Sequence, residues 1–169
     1  IYPLGMLGFY ICGFAFMFGG LGPVAALGGE NILNNPVVVH LFGHDMTVLG
    51  WKGFFLSGDC YVPAMYTLFL FQMVFMDTTA TIPTGSMAER WRFLPFCIYA
   101  FFVSALIYPL YGCWVWGGGW LSQLGAQFGL GHGHVDFAGS SVVHMVGGVA
   151  ALAGAIVLAL RDDLVRGRA

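Results

Sequence analysis

The sequence predicts an all-α membrane protein, a bundle of about four transmembrane helices, and three observations carry that prediction. Of the 169 residues, 59% are hydrophobic and only 8% are Asp, Glu, Lys or Arg, where a soluble domain carries about a quarter charged residues. Four runs almost free of charge are each long enough for the roughly 20 helical residues that cross a hydrocarbon core of about 30 Å. None of them alternates with a period of two, and lipid offers no hydrogen-bond partner to bare backbone, so helices are expected rather than strands. The mean hydropathy of +0.82 agrees.

The first run spans residues 1–23. It lacks a charged leading region and a small-residue cleavage site, so it is not read as a signal peptide, and without an initiator Met the chain reads as a piece of a longer protein. Residues 24–59 follow, with Glu30, His40, His44, Asp45 and Lys52. At roughly 35 residues this stretch exceeds an ordinary connection and is expected to fold over one face of the bundle. The second run, 60–85, contains Asp77, and Arg90 and Arg92 come after it. The third covers 93–116, a loop runs from Gly117 to Val135, and the fourth covers 137–160 with His144 inside it. Arg161, Arg166 and Arg168 close the chain. Cytoplasmic loops collect Lys and Arg, and helix parity places both arginine clusters on one side, so that side is assigned to the cytoplasm of a multi-pass cell-membrane protein. Small residues recur along the fourth run at Gly139, Ser140, Gly147, Gly148, Ala151, Gly154 and Ala155, which marks a helix closely packed among others. No repeat, linker or low-complexity tract divides residues 1–169, which read as a single transmembrane region.

Composition also excludes. A net charge of −2 with six basic residues leaves no electrostatic footprint for nucleic acid. Cys12, Cys60, Cys97 and Cys113 stand singly and read as small buried hydrophobes. No nucleophile elbow, phosphate loop or zinc-protease helix occurs, so neither an enzyme nor a cofactor is expected. His40, His44 and Asp45 have a spacing that can ligate a metal on a helix, and His132 and His134 flank a glycine. The glycines among them argue against regular helix, and loose histidines without supporting partners seldom make a metal site.

Five residues are candidates for chemistry. His144 is an ionisable group in mid-membrane, where such side chains usually face a bundle interior or a watery path. It reads either as a neutral histidine bonded to a carbonyl or as a relay that lines a pathway. Asp136 precedes the fourth run as an N-cap expected to accept the amides around Ala138 and Gly139, and a carboxylate there also attracts cations. As a cap, it is expected to tolerate Asn better than Ala. Phe71 and Phe75 lie one turn apart on one helix face, and Trp116 ends the third run. Each is ordinarily packing or an interfacial anchor, and rings at a dry mouth can also hold a small cation. Asp77 faces away from Phe75 and reads as a buried structural carboxyl beside the hydroxyls of Thr78, Thr79 and Thr81.

Taken together, the stretches Phe71-Gln72-Met73-Val74-Phe75, Gly85-Ser86-Met87-Ala88-Glu89-Arg90, Trp114-Val115-Trp116-Gly117-Gly118-Gly119 and Val135-Asp136-Phe137-Ala138-Gly139, running on to Val142-Val143-His144, resemble the Amt/MEP/Rh family of ammonium transporters, the Amt branch above all. The resemblance implies a homotrimer of eleven-helix protomers, of which this chain matches the second to fifth helices in the N-terminal half. It further implies an outer cation site at Trp116 and Phe71, a gate at Phe75, an essential aspartate at Asp136 and the first of two pore histidines at His144. The implied mechanism is recruitment of ammonium, removal of a proton and passage of ammonia through an apolar pore, with a cytoplasmic regulator as a further partner. A sensor with an attached signalling domain and an inactive half-length structural protein are the alternatives.

Overall fold

The computed structural model describes residues 1–22 and 31–165, with side chains to residue 161. The end of the first expected span, residues 24–30 of the following segment, and Arg166 and Arg168 lie outside the described residues.

Helix α1, Tyr2–Phe18, has Pro3 in its first turn, where a missing N–H costs nothing. Phe9, Phe14 and Met17 are fully buried. The Phe9 ring stacks on Phe69 at 5.6 Å and meets Tyr108 edge-on at 6.2 Å, so α1 stands between its neighbours. Lipid tails are as apolar as these side chains, which leaves close packing rather than water expulsion to hold such a bundle together.

The segment expected to cover one face does so as a β-hairpin, a correction to the purely helical class. Strands β1, Pro36–Leu41, and β2, His44–Gly50, pair antiparallel with Leu41 opposite His44. Phe42 and Gly43 form the two-residue turn with φ of 53° and 80°, the positive values that suit a hairpin. Val37, Val38 and Val39 face Leu49, Thr47 and Met46, residues whose shapes favour extended backbone. The hairpin is tied to the bundle by Trp114 Nε1 donating to Val48 O at 2.9 Å and Gln127 Nε2 donating to Asp45 O at 2.7 Å.

Helix α2, Pro63–Thr81, starts later than expected because Gly58–Cys60 forms a tight turn of its own. Pro83 then separates α2 from the short helix Thr84–Met87. Helix α3, Phe93–Val115, and helix α4, Ser140–Arg161, which continues to Val165, are both long and apolar enough to cross a membrane. Of the four spans expected, these two meet that description by length and composition. Helix α1 is apolar but shorter, and α2 carries Gln72, Asp77 and several threonines.

Three of the four helices contain a wide turn in which the hydrogen bonds lengthen by one residue, at Phe9–Gly13, Val103–Ile107 and Ser140–Met145. The second has a visible cause. Pro109 cannot donate to Ala105 O and its ring crowds that carbonyl. Cys12 Sγ from α1 lies 3.6 Å from the same oxygen as a donor. Gly8 and Gly13 let α1 approach there: a Cβ at Gly8 would strike Ser104 Oγ, and one at Gly13 would strike Ser104 O.

The helices define two ends. At one are the hairpin, the start of α2, the end of α3 and the start of α4. At the other, Arg161 Nη2 donates to Arg90 O at 3.5 Å and Ser86 Oγ donates to Ala151 O at 3.2 Å.

Candidate functional site

At the hairpin end, three rings from two helices form a row. Phe71 and Phe75, one turn apart on α2, have ring centroids 5.0 Å apart, and Phe75 meets Trp116 at the end of α3 edge-on at 5.6 Å. Phe75 therefore stands between the other two. Phe71 is 60% exposed, while Phe75 and Trp116 are half-buried. The indole N–H of Trp116 donates to Asp136 O at 2.8 Å, which locks the row to the start of α4.

Asp136 caps α4 more completely than expected. Oδ1 accepts the amides of Gly139 and Ser140 at 2.7 and 2.9 Å, and Oδ2 accepts those of Ser141 and Val142 at 2.8 Å each. The hydroxyls of Ser140 and Ser141 add bonds at 3.3 and 2.8 Å. The expected amides near Ala138 are displaced because the helix does not begin at Phe137, which is fully exposed. Gly139 has φ of 94°, a backbone state that favours glycine, and the turn it makes starts α4 at Ser140. Burial pushes the Asp136 carboxyl upward, but the hydrogen bonds from Val142, Ser141 and Gly139 outweigh it and hold it well below the usual carboxylate range.

His144 lies on the wide turn that follows. Its backbone N–H donates to Gly139 O at 2.8 Å, five residues back. Its ring Nδ1 lies 3.1 Å from the same oxygen. A carbonyl only accepts, so Nδ1 carries the proton and the Nε2 of a neutral ring keeps its lone pair. The ring is exposed. A Cβ at Gly139 would sit 3.7 Å from Phe75 Cδ1, so a side chain on the glycine that anchors His144 would reach the Phe75 ring. The structure thus brings Phe71, Phe75, Trp116, Asp136 and the His144 anchor into one connected row.

Asp77 lies apart from it. It is 1% exposed, and a Cβ at Gly5 of α1 would come 2.9 Å from its Oδ1. Neither carboxyl oxygen has a partner among the described residues. The threonine hydroxyls expected beside it bond their own helix instead, Thr78 to Val74 O and Thr79 to Phe75 O at 3.0 Å each. In the hairpin, His40 Nδ1 pairs with Asp45 Oδ1 at 2.8 Å across the strands, and the His44 ring lies 4.6 Å from that of Phe128. Sequence reasoning missed Ser141, whose position in the first turn after the cap was the available signal, and the contact of His134 with it.

A family model described as the Ammonium Transporter Family matches residues 2–168. The chain belongs to that family. Its members are integral membrane proteins with a helical fold, and the long apolar helices α3 and α4 accord with that. Among relatives, ammonium transporter Amt2 of Archaeoglobus fulgidus is 47% identical over 116 residues, which is 68% of this chain and 25% of that protein. A putative ammonium transporter of Synechocystis is 35% identical over 161 residues, 94% of this chain and 30% of the relative. The solved structure of a protein named Sensor Amt Protein superposes with a TM-score of 0.68 at 34% identity, covering 93% of this chain and 33% of that one. The chain therefore spans about a quarter to a third of the length of these similar proteins.

Proposed function

We propose that this chain is the cation-recruiting part of an ammonium transporter protomer. It supplies four transmembrane helices, with the hairpin end outside the cell and the arginine end in the cytoplasm. The observation that carries the reading is the connected row from Phe71 through Phe75 and Trp116 to Asp136 and Gly139, which bears His144. Aromatic faces attract a small cation by about 2 kcal/mol or more where water is excluded. A bare cation costs several kcal/mol between apolar walls, whereas neutral ammonia does not. Ammonium is then bound at the rings, its proton passes along the pathway to the free Nε2 of His144, and ammonia follows past Phe75. With Nδ1–H held by Gly139 O, the free Nε2 lone pair of a neutral imidazole accepts a hydrogen bond or a proton from the pathway. The rest of the pore wall, a homotrimeric assembly and a cytoplasmic regulator belong to the same reading, which rests there on family resemblance.

Uptake of methylammonium by the intact protein in proteoliposomes tests it. Phe71→Leu and Trp116→Leu should each weaken selectivity for methylammonium over sodium, and His144→Ala should reduce uptake. Unchanged selectivity in both aromatic variants reduces the rings to packing. A second reading, an ammonium sensor, is favoured by the likeness to the solved Sensor Amt Protein; binding of methylammonium without uptake would select it.

A further inference from the structure

A hydrogen-bonded chain leads out of the row to a histidine that the proposed mechanism does not use. His134 Nε2 lies 2.9 Å from Ser141 Oγ, and Ser141 Oγ donates to Asp136 Oδ2 at 2.8 Å. A hydroxyl has one proton, and an ionised carboxylate only accepts, so the Ser141 proton points at Asp136 and its oxygen accepts from His134. His134 therefore carries a proton on Nε2 in both charge states.

The imidazole is held in place. The His134 backbone N–H donates to Leu121 O at 2.9 Å. Gly133 has φ of 74°, and a Cβ there would strike Ser122 O, so the preceding residue presses directly on the loop. From the 121–122 stretch His134 meets backbone carbonyls. From the first turn of α4 it meets Ser141 and, through it, the charged Asp136. The short helix Leu124–Phe128 adjoins at Gly125, which packs on Gly133, and it brings Gln127 and Phe128 with Asp45 and His44 of the hairpin beyond them.

We infer that His134, acting through Ser141, is a positioning residue for Asp136 whose protonation weakens the hold of the mouth on ammonium. This rests on the reading of the ring row as a cation site. A neutral His134 leaves the full carboxylate charge of Asp136 to favour a cation. A protonated one sets a positive charge two hydrogen bonds from that carboxylate and opposes the cation, by an amount that screening limits near a surface. Because imidazoles titrate between about pH 5 and 8, the apparent affinity should fall as the pH at the hairpin end falls.

The test uses the intact protein in detergent, with methylammonium binding followed by calorimetry at pH 5.5 and 7.5. Wild type should bind about threefold to tenfold more weakly at pH 5.5. His134→Gln, whose amide can still donate to Ser141 Oγ, should bind equally at both, while His132→Gln should behave as wild type. A pH dependence that survives in His134→Gln overturns the inference. Imidazole ¹⁵N NMR gives a second readout: Ser141→Ala, which removes the link between His134 Nε2 and Asp136, should move the His134 Nε2 resonance, and an unmoved resonance also overturns it. If methylammonium binds with this pH dependence yet is not taken up, the transport reading fails and the inference stands. If methylammonium is bound and taken up without the pH dependence, the inference fails and the transport reading stands.

Discussion

Asp136 shows how much of a helix start can rest on one residue. Each of its oxygens accepts two backbone amides, so Asn is not a mild replacement: its NH₂ would face two N–H donors. Each buried donor left unsatisfied costs about 1–3 kcal/mol. Asp136→Asn should therefore lower stability by at least about 2 kcal/mol in thermal unfolding of the intact protein, which reverses the tolerance expected for a simple cap. The pH dependence has a definite sign. The folded-state carboxyl titrates below its unfolded counterpart, so the unfolded chain binds the proton first. Stability from this group is complete above about pH 5 and declines as the pH falls below about 4. A melting temperature that is flat down to pH 5, falls below pH 4, and loses that fall in Asp136→Asn is the expected result.

At the scale of elements, the wide turns of α1 and α3 face each other, and small residues make the approach possible. Gly13→Ala would drive a methyl into Ser104 O, with the Phe9 ring at 2.8 Å and Pro109 at 3.0 Å. Overpacking of this kind costs about 1–3 kcal/mol. Gly148→Ala, with nothing within 4 Å of the new methyl, should cost nothing. Expression and thermal unfolding of the two variants should separate cleanly, and equal behaviour would remove the close approach as a structural requirement. Where α1 is shorter and α2 more polar than a membrane span requires, α3 and α4 were legible in the sequence because hydropathy reports them directly. The hairpin was not, although Val37 to Val39 and the Phe42-Gly43 turn are strand and turn signals; the charged and histidine side chains scattered through that stretch break its apolar pattern. The wide turns were equally hidden, since only Pro109 marks one of them. Within the candidate site, Phe71, Phe75, Trp116, Asp136 and His144 were singled out by residue type and by family resemblance, and the structure sets them in one row. Ser141 and His134 were not, because their contact depends on the Gly139 turn that swings the start of α4 under the loop.

For the whole molecule, the exposed faces of α3 and α4 are strongly apolar among the described residues. Phe93, Leu94, Val149, Leu152, Val157 and Leu160 are each at least 60% exposed. Leu110, Trp114, Met145 and Val149 line a groove of about 480 Å³ between the two helices. Water does not accommodate contiguous apolar surface of this kind, which suits a bilayer. Ser86 lies at the arginine end, bonded to Ala151 O, and Ser122 at the hairpin end, bonded through its backbone to Trp114 O at 3.0 Å. Single cysteines at these two positions should be labelled by a membrane-impermeant reagent from opposite sides, and labelling from one side would end the proposed topology.

The placement of the indoles gives the chain an optical polarity. Of its five tryptophans, Trp51, Trp114, Trp116 and Trp120 gather at the hairpin end, with Trp114 and Trp120 5.7 Å apart, while Trp91 lies near the arginine end against Phe96 at 4.6 Å. Once Trp91 is replaced by Phe, the ultraviolet emission of the segment comes from its hairpin end only. Within that emission Trp116 is the indole in edge contact with Phe75 and bonded to Asp136 O. The difference spectrum between the Trp91→Phe protein and its Trp116→Phe derivative therefore isolates one chromophore at the mouth, and a change in its colour on adding methylammonium would time the arrival of the cation without any label.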